Sequence, residues 1–136
     1  MKWITRERAK VERIACPRLI KRFIDPEAEF LFAPREQVLE IAKKENAIPF
    51  DTPRAELYHK EGKCTFEVIL EKYKIKDPAL EYMAKIIHGA DILEDINITP
   101  ESAGIRAIAH GFYHLVEDDY KKIELEFPVY DALYEY

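Results

Sequence analysis

The first third of the chain alternates between short apolar runs and one helical pattern. Residues 2–5 are β-prone, and residues 28–33 (AEFLFA) form an apolar run that predicts a buried strand. Between them, residues 14–24 carry apolar side chains at helical spacing, with Pro17 in the expected first turn. An Asp-Pro step at 25–26 ends this helix, because the residue before a proline is disfavoured in the α region. The chain is therefore predicted to open as strand, helix, strand.

Helical periodicity dominates the rest of the chain. Residues 34–46 predict an amphipathic helix, whereas residues 47–63 contain two prolines and a glycine and predict two short extended pieces, around 48–50 and 56–59. Further helices are predicted over residues 65–73, 78–92, 100–116 and 118–125, followed by a last apolar piece that ends in Tyr136.

These elements predict one α+β domain over residues 1–136. A small N-terminal β-sheet is expected to be covered by helices, and the C-terminal half is expected to be helical. A chain of 136 residues with 48% hydrophobic and 35% charged residues suits a single folded core. No uncharged apolar run approaches the roughly 18 residues of a membrane span, so no membrane contact is expected.

Cellular location is predicted from the N-terminus and the cysteines. The basic start is not followed by the apolar core of a secretory signal. The two cysteines, Cys16 and Cys64, are expected to be free thiols, which is typical of a cytoplasmic protein.

Charge is unevenly distributed along the chain. Residues 1–22 hold eight Lys or Arg against two acids, a local charge of +6, whereas residues 91–136 hold three against eleven, a local charge of −8, within a total of −5. The acidic total argues against direct nucleic-acid binding. The basic segment predicts either an anion site or a salt-bridged contact with the acidic tail.

Four residues are candidate metal ligands. His59 and Glu67 flank a predicted turn, and His88 and Asp91 lie at i, i+3 on one helix face. Nitrogen and oxygen donors of this kind suit zinc, manganese or iron. Cys64, between His59 and Glu67, is a candidate thiolate. The alternative is that these side chains only cap, solvate or hydrogen-bond their own elements.

Two further patterns have a functional and a structural interpretation. His110 and His114 lie at i, i+4, but the glutamate that a zinc peptidase needs after the first histidine is Gly111 here, which favours two surface histidines. Cys16 and Arg22 have the C-x5-R spacing of cysteine phosphatases without the intervening glycines, which favours a buried thiol. A helix start at Cys16 beside Arg13 would nevertheless lower the pKa of the thiol and attract an anion.

Several segments, in this order, carry a resemblance to a known family: Arg13-Ile-Ala-Cys-Pro-Arg-Leu-Ile-Lys-Arg-Phe-Ile-Asp-Pro26, Ile48-Pro-Phe-Asp51, His59 with Cys64-Thr-Phe-Glu67, His88-Gly-Ala-Asp91 and Tyr130-Asp-Ala-Leu-Tyr134. Together they resemble the chromate-resistance ChrB family from Trp3 to Tyr134. Two positions depart from the family pattern, because Glu12 stands where the family usually has Asp and Arg18 where it usually has Trp.

The resemblance implies a cytoplasmic domain linked to chromate resistance, often the C-terminal half of a chromate-responsive regulator whose N-terminal half contacts DNA. We therefore expect the sensing or metal-handling part, without a DNA-binding role. The positions expected to form the family's site are Arg13, Cys16, Arg22, His59, Cys64, Glu67 and Asp91.

Three functions remain open on the sequence. The first is a domain that binds a divalent metal through His59, Glu67, Asp91 and His88, or a small oxyanion such as chromate at Arg13, Cys16 and Arg22. The second is a metal-dependent redox or hydrolytic enzyme with a nearby thiolate. The third is an interaction module whose acidic, tyrosine-rich C-terminus docks a partner or a second copy in a homo-oligomer.

Overall fold

Three short parallel strands form a small sheet in the N-terminal half, and the chain has six α-helices. A computed structural model describes all 136 residues. The strands are β1 (Lys2–Arg6), β2 (Glu29–Ala33) and β3 (Ile48–Pro49). The helices are α1 (Glu12–Phe23), α2 (Val38–Glu45), α3 (Thr65–Lys72), α4 (Pro78–Asp91), α5 (Ser102–Leu115) and α6 (Asp119–Glu135), with short 3₁₀ turns at Arg35–Gln37 and Leu93–Asp95. The predicted α+β class is confirmed.

Strand β1 is the middle strand of the sheet. The order is β2-β1-β3, and Trp3 faces Phe30 on one side and Ile48 on the other. Parallel neighbours require crossover connections, which α1 and α2 supply. Trp3, Ile4 and Thr5 are all buried, as expected for a strand that is covered on both faces.

Helix α1 is the central helix of the main core. Ile14, Cys16, Leu19 and Ile20 are fully buried, and the helix packs against α3, α4 and α6. A smaller cluster lies apart from this core and contains Ile4 and Ala33 of the sheet, Val38 and Ala42 of α2, and Ala47. The first turn of α1 is therefore positioned among three other helices, which matters for the site below.

The basic N-terminal segment contacts the acidic C-terminal helix. Arg18 Nε and Arg22 Nη2 lie 2.8 and 2.9 Å from the Asp131 carboxylate. The Asp119 carboxylate accepts hydrogen bonds from the backbone amides of Arg8 (2.9 Å) and Ala9 (2.8 Å). The salt-bridged contact predicted as one alternative from the charge distribution is confirmed.

Several element boundaries differ from the predicted ones. Helix α1 begins at Glu12, two residues early, so Pro17 lies in its second turn. Residues 35–37 form a 3₁₀ turn before α2, and the expected extended piece at 56–59 is reduced to a single bridge between Phe50 and Leu57. Helix α6 continues through Pro128 to Glu135, because Tyr130, only 1% exposed, anchors its second half in the core. None of the helices combines the length and apolar character needed to cross a membrane.

Candidate functional site

Glu12, in the first turn of α1, is the buried centre of the site. Its side chain is 1% exposed. Its carboxylate accepts hydrogen bonds from the backbone amides of Thr65 (3.2 Å) and Phe66 (2.6 Å), at the start of α3. The first amides of a helix have no partner within the helix, and an acidic group near them is stabilised. Glu12 therefore caps α3 from a different helix and holds the two helices in register.

His59 and Asp91 converge on Glu12 from two other elements. His59 lies in the loop that precedes α3, and its Nε2 atom is 3.1 Å from Glu12 Oε1. The same Nε2 atom is 3.4 Å from Asp91 Oδ2, at the end of α4. Each of the three residues offers one donor atom, and these atoms all lie within 4.8 Å of one another. One nitrogen and two oxygen donors thus face a common point.

The three groups shift one another's protonation. Hydrogen bonds to Asp91 and Glu12 raise the pKa of His59 to about 10. Burial raises the pKa of Glu12 to about 8, against the opposing effect of His59. Burial also acts to raise the pKa of Asp91, but hydrogen bonds with His59 and Glu12 outweigh it and the net pKa is lowered. At neutral pH His59 is therefore an imidazolium and Asp91 a carboxylate, and their charges offset each other.

Asp51 lies at the edge of this cluster with its own partners. Its Oδ1 atom accepts a hydrogen bond from the Thr65 hydroxyl at 2.8 Å and is 3.7 Å from His59 Nε2. Arg13 and Arg6 approach its Oδ2 atom at 3.3 and 3.6 Å. The two guanidinium groups compensate the charge of Asp51, and they place positive charge next to the His59 cluster.

The predicted ligands Glu67 and His88 lie in a second cluster. His88 Nδ1 is 2.7 Å from Glu67 Oε1, and His88 Nε2 is 2.6 Å from Asp95 Oδ2. Cys64 completes this group, with its sulfur within 4.8 Å of the Glu67 and His88 donor atoms. The structure therefore does not bring the four predicted ligands together, because Glu67 folds back to accept the Cys64 backbone amide (2.9 Å) at the start of α3.

The predicted anion-binding residues Arg13, Cys16 and Arg22 do not converge either. Arg13 is directed to Asp51 and Arg22 to Asp131, while Cys16 is fully buried. The predicted lowering of the Cys16 pKa is wrong, since burial and the nearby Glu12 raise it well above its usual value. The physical reason is that α1 begins at Glu12, which places Cys16 beyond the free amides of the helix start.

The remaining candidates are Cys64, His110 and His114. Burial also raises the pKa of the Cys64 thiol, so Cys64 is not a free thiolate. His110 is part-exposed and His114 exposed on α5, and neither belongs to a cluster of metal-ligating side chains. This agrees with the interpretation of the pair as surface histidines.

Glu12 is the member of this cluster that was not predicted from the sequence. Two signals pointed to it: it stands where the resembled family has another carboxylate, and it lies one helical turn before the buried Cys16. The thiol of Cys16 is 3.9 Å from Glu12 Oε2. An acid on the buried face of a core helix requires partners, and here the partners come from α3 and the loop before it.

The fold and cluster define a small α+β domain with a histidine-carboxylate site assembled from helix ends. A sequence model of the family described as ChrB, C-terminal domain, matches residues 3–136. The chain belongs to this family, which confirms the predicted resemblance. It is 33% identical over 135 residues to Protein ChrB of Cupriavidus metallidurans, with 97% of this chain and 39% of that protein covered. The chain thus spans about two fifths of the relative's length. No solved structure matches the chain.

Proposed function

We propose that this domain binds a divalent transition metal through Glu12, His59 and Asp91, in the service of chromate resistance or chromate-responsive regulation. The observation that supports the proposal most strongly is the convergence of one imidazole nitrogen and two carboxylate oxygens within 4.8 Å, from a loop and two separate helices. The link to chromate comes from the family resemblance and applies to this chain as part of the proposal.

The donor set favours an ion of intermediate hardness. One histidine nitrogen with two carboxylate oxygens suits manganese, iron or zinc rather than copper(I). A bound ion needs His59 as a neutral imidazole and both carboxyl groups ionised, so binding would release protons, and the resulting two negative charges would balance a divalent cation. His59 has 37% of its side chain exposed, so an ion can reach the cluster from the solvent side.

Three protein ligands leave at least one coordination position open, as in sites that bind water or a small anion on the metal. Arg6 and Arg13, which pair with Asp51 beside the cluster, add positive charge near it. An oxyanion such as chromate would therefore meet a cation and two guanidinium groups. The alternative of an enzyme with a thiolate partner is less well supported, since burial raises the pKa of both Cys16 and Cys64.

Manganese binding tests the proposal. Chelator-treated protein is titrated with Mn²⁺, and free Mn²⁺ is followed by electron paramagnetic resonance. Wild type is expected to bind one equivalent, and His59→Ala and Asp91→Asn are expected to lose this binding. His114→Ala, a histidine on the exposed surface of α5, is the matched control and should retain it. Equal binding by wild type and a folded His59→Ala variant would overturn the proposal.

A further inference from the structure

We propose that Cys64, Glu67 and His88 form a second metal site, separate from the first and suited to zinc. Their sulfur, oxygen and nitrogen donor atoms lie within 4.8 Å of one another, with His88 Nδ1 and Glu67 Oε1 only 2.7 Å apart. Cys64 is fully buried and His88 is 7% exposed, so two of the three donors are fixed by the surrounding core. The site does not depend on the proposed function of the Glu12 cluster.

The sequence around the start of α3 positions two of the ligands. Cys64 is the residue that precedes α3, and Glu67 is the third residue of the helix. The Glu67 carboxylate folds back to accept the Cys64 amide at 2.9 Å, which brings it beside the thiol. A C-x2-E pair at a helix start thereby places sulfur and oxygen on the same side of the first turn. His88 from α4 then faces this pair across the α3–α4 contact.

Asp95 gives His88 the orientation that a metal-binding histidine usually has. His88 Nε2 is 2.6 Å from Asp95 Oδ2, in the 3₁₀ turn that follows α4. A carboxylate that accepts the distal ring N–H fixes the tautomer and leaves the other nitrogen free to ligate. Nδ1, which donates a hydrogen bond to Glu67 Oε1 at 2.7 Å in the absence of an ion, is the atom that would ligate the metal after releasing its proton. The Asp95 contact lies outside the ligand group and supports this assignment independently.

The donor set distinguishes this site from the Glu12 cluster. Zinc accepts sulfur, nitrogen and oxygen in tetrahedral sites, and a thiolate ligand selects it over manganese. A bound cation deprotonates a coordinating thiol outright, so the burial of Cys64 does not oppose ligation. Glu67, with 27% of its side chain exposed, leaves the fourth position toward the solvent for water.

The competing role for these residues is purely structural. Without a metal, His88 bridges two carboxylates and ties α3 and the 3₁₀ turn to α4. That role requires no sulfur ligand, whereas the metal site requires the Cys64 sulfur. Spectroscopy of the metal–sulfur bond therefore separates the two.

Cobalt(II), a zinc substitute with a visible spectrum, provides the test. The His59→Ala variant, which removes the first site, is titrated with Co²⁺. We expect one equivalent to produce the near-ultraviolet charge-transfer band of a cobalt–thiolate bond, and one equivalent of Zn²⁺ to abolish it. The double variant with His59→Ala and Cys64→Ser should lack the band. The double variant with His59→Ala and Cys16→Ser, which changes the other buried thiol, should retain it.

A second variant covers the case in which Cys64→Ser does not fold. Asp95→Asn keeps the size of the side chain and should weaken zinc binding by about 10–100-fold. Three results would overturn the second site. The thiolate band could be absent from the His59→Ala protein, it could persist after Cys64→Ser, or the zinc affinity could be unchanged by Asp95→Asn. Failure of the wild-type protein to bind Mn²⁺ would overturn the first site and would not affect the second, which the Co²⁺ titration tests.

Discussion

Glu126 on α6 makes the domain less stable as pH rises from acid to neutral. Its side chain is 1% exposed, and neither carboxylate oxygen has a hydrogen-bond partner. Burial raises its pKa from 4.5 to about 8, against a smaller opposing effect of Lys122. The folded protein therefore keeps this proton at pH values where the unfolded chain has released it. Stability contributed by the group falls as pH rises from about 4.5 and levels above about 8.

The magnitude follows from the two pKa values. Each pH unit between them is about 1.4 kcal/mol, so at pH 7 the carboxyl destabilises the fold by about 3 kcal/mol at most. Glu126→Gln keeps the shape of the protonated acid and removes its titration. The variant should have the same free energy of unfolding as wild type near pH 4. Its advantage over wild type should increase as pH rises and reach about 2–3 kcal/mol at pH 7.

Urea denaturation of both proteins between pH 4 and pH 9 measures this difference directly. Glu124→Gln, on the same helix with 70% of its side chain exposed, is the matched control and should change stability by less than about 0.5 kcal/mol at every pH. A difference between wild type and Glu126→Gln that does not change with pH would refute the reasoning.

Three further substitutions test the packing and the charge contacts. A Cβ at Gly89 would overlap the Ser102 hydroxyl oxygen and lie 2.8 Å from the Ser102 Cβ, so Gly89→Ala should destabilise the α4–α5 contact by about 1–3 kcal/mol; an unchanged melting temperature would contradict this. Asp119→Ala removes the acceptor of two backbone amides and the partner of the fully buried Lys122, at 3.4 Å, and should cost about 3–5 kcal/mol in urea denaturation. Asp118→Ala, which removes only the cap of α6 on the amide of Tyr120, should cost about 1 kcal/mol, and equal losses for the two variants would contradict the account.

Helix positions were predictable where helical periodicity is clear and a local signal marks the start. The predicted helices at 65–73 and 78–92 correspond to α3 and α4 within one residue. The second begins at Pro78, after Asp77 accepts the amide of Ala79 at 2.9 Å, as a capping residue should. The piece around 56–59 was not predictable, because its only bridge, Leu57 with Phe50, depends on where the loop is placed against the sheet edge.

The sequence predicted most of the residues of the candidate site but not which of them lie together in one cluster. His59 and Asp91 were selected, but their third partner, Glu12, contacts Thr65 from 53 positions away. Periodicity shows which face of a helix is buried, but it does not show which helix ends meet. For the same reason Glu67 and His88 were grouped with His59 and Asp91, whereas they face Cys64 instead.

The central claim is that Glu12, His59 and Asp91 hold a metal ion, and a crystal of the domain soaked in Mn²⁺ tests it most directly. The account predicts one anomalous-difference peak in bonding contact with Glu12 Oε1, His59 Nε2 and Asp91 Oδ2. Data from a His59→Ala crystal should lack the peak. A map without anomalous density at these three atoms, or with density only at surface histidines such as His114, would contradict the account.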